Sequence, residues 1–179
     1  MTEVLLHLVR HGQTTWNAES RLAGWTDVPL TEAGRAQAAG LKPILSARAF
    51  DQVWASDLRR AVDTAELAFG EPQQDERLRE MHFGELEGAS WPELAAKWRE
   101  PLSRFAGFEP PGGESIEVLG TRLADFADTL EPGNHLIFTH GGVIRWFMHG
   151  LSDHPFVGNG TVVTLRWSSP REVLKVEAL

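Results

Sequence analysis

The stretch Leu8-Val-Arg-His-Gly-Gln-Thr-Thr-Trp-Asn17 decides how the rest of the chain is read. The apolar run from Val4 to Val9 predicts a strand buried on both faces. It delivers Arg10 and His11 into Gly12, a tight turn. Such a turn sets backbone N–H groups, a guanidinium and an imidazole side by side, which suits a phosphate. His11 is then a candidate nucleophile. A lone His after a strand is more often structural, so its neighbours have to tip the balance. Arg10 would be costly to bury without an anionic partner, and Gly12 permits the close approach of a ligand. The second half of the chain repeats the theme. Leu136-Ile-Phe-Thr-His-Gly-Gly142 is another apolar strand, ending in His140 and two glycines. Packing alone does not explain two such junctions.

Between and beyond these junctions, strand and helix patterns alternate. Gly12 to Asn17 leaves the first strand as a loop or a first helical turn. Thr31 is an expected N-cap for a helix reaching about Leu45, kinked or ended by Pro43. Gln52 to Ala55 reads as a short strand. Ser56 is expected to cap the next helix, with Leu58, Ala61, Val62 and Ala65 as its apolar stripe. Residues 72–90 look irregular, with Leu78 in a brief extended segment. Trp91 to Glu100 reads as helix, and so does Ser115 to Leu130, whose face is Val118, Leu119, Leu123, Phe126, Ala127 and Leu130. A strand over His135–Thr139, a helix over Val143–Leu151 and strands over Thr161–Trp167 and Val173–Val176 complete the series. The pattern predicts an α/β fold: three layers, a mostly parallel open sheet and helices on both faces. Ligands then belong beyond the carboxyl ends of the strands, where His11, Ser56 and His140 fall. With no linker, repeat or low-complexity tract, residues 1–179 are expected to form one domain.

Composition narrows the chemistry. A formal net charge of −8 argues against a nucleic-acid partner, which would need a basic face. Any anion site must therefore be a local basic pocket. With no cysteine, disulfides, thiolate nucleophiles and Cys-based metal sites are excluded. No apolar run approaches membrane-spanning length, and the N-terminus carries no basic leader, so a cytoplasmic protein without a membrane partner is expected.

In sequence order, LVRHGQTTWN is followed by GWTDVPLTEAG (24–34), SDLRRAVDTA (56–65), LREMHFGELEG (78–88) and FTHGG (138–142). This ordered set resembles the histidine phosphatase superfamily, the phosphoglycerate mutase-like proteins. It covers about Leu6 to Trp146. The segment PPGGES (110–115) is similar to the small bacterial members, the alpha-ribazole phosphatase-like and broad phosphomonoesterase group.

The resemblance implies a phosphoglycerate mutase-like fold and roles for particular residues. His11 would carry the phosphoryl group, Arg10 and Arg60 would clamp its oxygens, and His140 would stabilise charge from the other side. Glu80 would be the acid and base. Asn17 and Gly24 match phosphate-contacting loop positions, and Gly141 could add a backbone N–H at a helix start. Periodicity alone does not separate Arg60 from Arg59, whose plain reading is a solvated helix charge. Nor does it lift Glu80 much above Glu76, Glu85 and Glu87. His7, His82, His135, His149 and His154 read as structural or exposed, His82 being the nearest exception. Ala23 stands where mutase-type members often carry Thr or Ser, which removes one contact.

The implied activity is hydrolysis of a small phosphomonoester, such as alpha-ribazole 5'-phosphate in cobalamin biosynthesis, with no cofactor and no metal. Trp25, Trp91, Phe83 and Phe108 could stack a flat leaving group, although aromatics mostly serve burial. The competing readings are a cofactor-dependent phosphoglycerate mutase and a catalytically silent phospho-ligand binder. Between Gly88 and Gly112 the only cations are Lys97, Arg99 and Arg104, few for enclosing a bisphosphorylated intermediate. The resemblance also allows a homodimer.

Overall fold

Leu6 and Leu8 fall on one face of the first strand and Val9 on the other, and each face is buried in its own core. This is the both-sides burial that a near-continuous apolar run demands. The computed structural model describes residues 3–152 and 156–178. His154 lies outside them.

Six strands form one open sheet: β1 (Val4–Arg10), β2 (Gln52–Ala55), β3 (Gln73–Gln74), β4 (Gly133–Thr139), β5 (Val162–Arg166) and β6 (Glu172–Glu177), in the order β3-β2-β4-β1-β5-β6. The pairs β1–β4, β2–β4 and β2–β3 are parallel, whereas β1–β5 and β5–β6 are antiparallel. The sheet is therefore mixed, parallel through its middle and antiparallel at the β5–β6 end. Among the described residues, six α-helices accompany it: α1 (Thr15–Ala18), α2 (Glu32–Ser46), α3 (Arg59–Ala68), α4 (Ala96–Arg104), α5 (Ile116–Ala127) and α6 (Gly141–Met148). Leu41, Leu45, Ala65 and Ala68 of α2 and α3 pack with Val9, Leu136 and Phe138. Leu119, Leu123 and Phe126 of α5, with Val143, Ile144 and Phe147 of α6, pack with Leu6, Leu8 and Ile137. Alternation along β1 and β4 thus produces the three layers.

Several local expectations change. Pro43 neither ends nor breaks α2, because its ring sits on the exposed face, where water can meet an unpaired carbonyl. Ser56 is not a helix cap. Its N–H donates to the Phe138 carbonyl at 2.9 Å, extending the sheet, and α3 starts only at Arg59. The orphan N–H of Arg59 is met from another loop, by Asp27 Oδ1 at 3.0 Å. Leu78 ends a 3-10 turn over Glu76–Leu78 rather than an extended segment. The helix expected over 91–100 begins at Ala96: Leu94 is buried in a preceding turn, and Trp98 and Leu102 give the helix its core-facing side. Ser115 caps α5 by accepting the Val118 N–H, but Val118 itself is 55% exposed and off the apolar face. The helix after β4 begins two residues early, at Gly141, and ends at Met148. Among the described residues, no helix is long and apolar enough to cross a membrane.

Candidate active site

The site follows from strand register. β1 and β4 are parallel neighbours, and Arg10 lies opposite Thr139 at their carboxyl ends. The next residue on each strand is a histidine. His11 and His140 therefore emerge side by side, ring centroids 5.2 Å apart at an interplanar angle of 63°. The His11 N–H donates to the Thr139 carbonyl at 3.0 Å, tying the two junctions together. Both imidazoles are buried. Burial first, then the charges of Arg60 and Arg10, hold the His11 imidazole well below its ordinary pKa, against a hydrogen bond to Gly12 that acts the other way. Burial and Arg60 do the same to His140. Both rings are neutral near pH 7.

The tautomer of His11 is set locally. Its Nδ1 lies 2.7 Å from the Gly12 carbonyl oxygen, which can only accept, so Nδ1 carries the proton and Nε2 keeps its lone pair. The Gly12 N–H donates to Thr64 Oγ1 at 3.0 Å, and Thr64 Oγ1 donates to the Arg60 carbonyl at 2.6 Å. A Cβ on Gly12 would sit 2.3 Å from the Gly34 carbonyl oxygen, so glycine is required here for backbone contact.

Two arginines flank the histidines. Arg60 is 1% exposed; it donates to the carbonyls of Thr26, at 3.0 Å, and Gly24, at 2.6 Å. Arg10 donates to the Val157 carbonyl. Among the described residues, Arg10 Nε, Arg60 Nε and both ring nitrogens of His140 are buried with no hydrogen-bond partner. The unsatisfied N–H groups of the two arginines, with the single N–H of a neutral His140, suit an acceptor-rich ligand. Arg59, by contrast, is a solvated charge facing Asp63 at 3.7 Å.

Glu80 reaches the same centre. Its Oε2 accepts the Gly142 N–H at 3.1 Å, at the start of α6, and its Oε1 accepts the Met81 N–H at 2.9 Å. Its charge acts on both Arg10 and Arg60. Gly141 lies on the other side of that helix start, where a Cβ would be 3.3 Å from Arg10 Nε. Asn17 is one step removed: its Oδ1 accepts the Thr14 N–H at 3.0 Å and the Asn159 amide at 3.2 Å, and Asn159 also donates to the His11 carbonyl at 2.9 Å. Gly24, in left-handed conformation at φ +53°, offers its carbonyl to Arg60.

Other groups are missing from the motif reading. Glu87, grouped above with the alternatives to Glu80, accepts the N–H groups of Trp25 and Thr26 at 2.8 and 2.9 Å and so fixes the loop that holds Arg60. Asn159 carries no motif signal of its own, whereas Thr64 and Gly142 stand in the quoted SDLRRAVDTA and FTHGG stretches. Phe83 and Phe108 are core residues. Trp25 is 37% exposed and donates its ring N–H to the Glu80 carbonyl at 2.7 Å. No cluster of three or more metal-ligating side chains occurs among the described residues.

The chain is similar to known proteins. The chain is 38% identical to 2,3-bisphosphoglycerate-dependent phosphoglycerate mutase 2 of Gloeobacter violaceus, across 97% of this chain and 80% of that one. It superposes on the crystal structure of TTHB049 from Thermus thermophilus with a TM-score of 0.91 and 47% identity, covering 98% of this chain and 99% of that one. A protein of Escherichia coli named as an alpha-ribazole-5'-P phosphatase superposes with a TM-score of 0.80 at 25% identity, over 98% of this chain and 95% of that one. The pattern of the histidine phosphatase superfamily (branch 1) matches residues 6–175, and the chain belongs to that family.

Proposed function

We propose that the protein is a metal-independent phosphomonoester hydrolase working through a phosphohistidine on His11. The observation that carries this reading is the neutral His11 ring, its Nδ1 held by Gly12, beside unpaired donors on Arg10, Arg60 and His140. The Nε2 lone pair attacks phosphorus. The N–P bond forms as the bond to the leaving oxygen breaks, and Glu80 in its acid form gives that oxygen a proton. Water then attacks phosphorus, Glu80 takes its proton, and the N–P electron pair returns to Nε2. Arg10 and Arg60 grip the equatorial oxygens, and His140 stabilises the charge that builds up on them. These cations are part of the chain, so no metal is called for. Asn17 meets a ligand through its Nδ2, since its Oδ1 is already committed, and Gly141 through its N–H. The role of Gly24 is to hold Arg60 rather than to touch phosphate.

The leaving group is an uncharged, flat alcohol, and alpha-ribazole 5'-phosphate is the metabolite we favour. Trp25, on the Glu80 carbonyl, and Phe156, 77% exposed with Arg10 5.4 Å from its ring centroid, supply aromatic surface beside the phosphate groups. The PPGGES likeness and the Escherichia coli neighbour support this choice. The second reading is a phosphoglycerate mutase, as the Gloeobacter relative is named. A mutase needs further cations for a second charged group. Two of the three cations between Gly88 and Gly112 are engaged: Lys97 lies over Trp98, and Arg99 donates to the Pro92 carbonyl. One assay divides the readings: given phosphorylated metabolites that include 3-phosphoglycerate and alpha-ribazole phosphate, a hydrolase releases phosphate faster than it interconverts phosphoglycerates. Faster interconversion overturns the hydrolase.

A further inference from the structure

The segment carrying Glu80 has no regular structure to hold it. The 3-10 turn ends at Leu78, and the next begins at Gly84. A general acid must nevertheless be fixed within a fraction of an ångström. Its side-chain oxygens are held by Met81 and Gly142, but its backbone has no ladder.

One ion pair takes that place. Glu114, in the PPGGES segment, is 8% exposed. Arg122, two turns along α5, pairs with it through Nε at 3.0 Å and through Nη2. The remaining capacity of both partners goes to the acid's segment. Arg122 Nη2 donates to the Glu80 carbonyl at 2.9 Å, and Nη1 to the Arg77 carbonyl at 2.7 Å. Glu114 Oε1 accepts the His82 N–H at 2.9 Å. Residues 77, 80 and 82 are thus pinned by one rigid fork and its carboxylate.

The glycines of PPGGES fit the same purpose. The Glu114 N–H donates to the His82 carbonyl, and the Glu85 N–H to the Pro111 carbonyl, each at 2.9 Å. A Cβ on Gly113 would lie 2.4 Å from the His82 carbonyl oxygen, so any side chain there would push the two backbones apart. We propose that Glu114 and Arg122 are positioning residues for Glu80, and that the PPGGES turn docks Glu114 onto the acid's segment for that purpose. This rests on the reading of Glu80 as the general acid.

The test compares an alkyl phosphomonoester, whose poor leaving group needs the acid, with 4-nitrophenyl phosphate, which needs it little. Glu114→Gln removes the charge, and Arg122→Lys removes the fork. Each should lower kcat/KM, which reports only the step in which the alcohol leaves, by at least about tenfold on the alkyl ester and by less than about threefold on 4-nitrophenyl phosphate. Competitive inhibition by inorganic phosphate should stay within about twofold, because Arg10 and Arg60 are untouched. Equal losses on both substrates, or no loss, overturn the proposal. If either variant fails to fold, the double substitution Glu114→Gln with Arg122→Met replaces the pair by a neutral one, a change that buried ion pairs often tolerate. A folded double variant with the native leaving-group profile also overturns it. Glu80→Gln is measured in parallel. Once Glu80 is gone, adding Glu114→Gln should cost nothing further, and an additive loss means that Glu114 does not act through Glu80. If Glu80→Gln itself shows no leaving-group dependence, the acid assignment falls, and the positioning role with it. If Glu80→Gln shows it and the Glu114 and Arg122 variants do not, only the positioning role fails.

Discussion

His11 Nδ1 and the Gly12 carbonyl oxygen are 2.7 Å apart, and that contact decides which imidazole nitrogen can act as a nucleophile. A carbonyl cannot donate, so the proton is on Nδ1. His11→Ala should reduce turnover of a chromogenic phosphomonoester by about a thousandfold or more, since it removes the covalent route. The melting curve should still be that of a folded protein. Retained turnover would refute covalent catalysis by His11.

Gly142 tests the seat of the acid. A Cβ there would lie 2.3 Å from Glu80 Oε1, and that oxygen is already held by the Met81 N–H. Gly142→Ala should therefore displace the carboxylate without opening the core. We expect kcat on poor leaving groups to fall by roughly 10- to 100-fold with a small shift in Tm. Unchanged kcat would show that the Glu80–Gly142 contact has no catalytic role.

Arg60 has two duties and should fail at both. Arg60→Ala would leave the buried carbonyl of Gly24 and the half-buried one of Thr26 without donors, at a cost of about 2–4 kcal/mol in urea unfolding. Arg60→Lys keeps the charge but loses the planar fork, and phosphate inhibition should weaken by about tenfold or more. Native phosphate affinity in Arg60→Lys would remove Arg60 from the phosphate clamp.

Acid should destabilise the fold from about pH 6.5 downward. In the unfolded chain His11 and His140 take up protons near 6.5, whereas in the folded protein burial and the arginines depress both values well below that. The unfolded state then binds more protons. The stability these rings contribute is present above 6.5 and is lost as pH falls toward their folded values. For two protons the slope approaches about 3 kcal/mol per pH unit. Urea unfolding between pH 7 and pH 5 measures it, and His140→Asn should lower the slope. A flat profile would contradict neutral buried rings.

Chelation should change nothing. The positive charge around the candidate site comes from Arg10 and Arg60, so dialysis against EDTA should leave kcat intact. Loss of activity restored by a divalent cation would argue for a metal-dependent step.

The sequence was most legible where one residue type allows one role. Two apolar strands ending in His-Gly pointed to a ligand site past strand ends, and the register of β1 and β4 brings the two histidines together, because parallel neighbours present their next residues side by side. The continuous apolar run of β1 and the succession of strand and helix patterns along the chain likewise predicted helices on both faces. Local signals failed where distant residues intervene. Ser56 looked like a helix cap, but Asp27 from another loop supplies that acceptor. By residue type alone Glu87 looked like Glu80; the family resemblance picks out Glu80, and the fold sets the carboxylate at Gly142 apart from the one that holds Trp25 and Thr26. The contacts of Glu114 and Arg122 with residues 77–82 span 32 to 45 positions, beyond any local pattern. The antiparallel end of the sheet escaped because the residue pattern of a strand carries no sign of its direction.

The most direct measurement is mass spectrometry of the protein quenched at alkaline pH during turnover, where phosphohistidine survives. Covalent catalysis by His11 predicts a phosphoryl group on its Nε2, formed and lost at rates matching kcat, and accumulating when Glu80→Gln slows its hydrolysis. Steady turnover with no phosphorylated histidine at any time, or with the label on another residue, would contradict it.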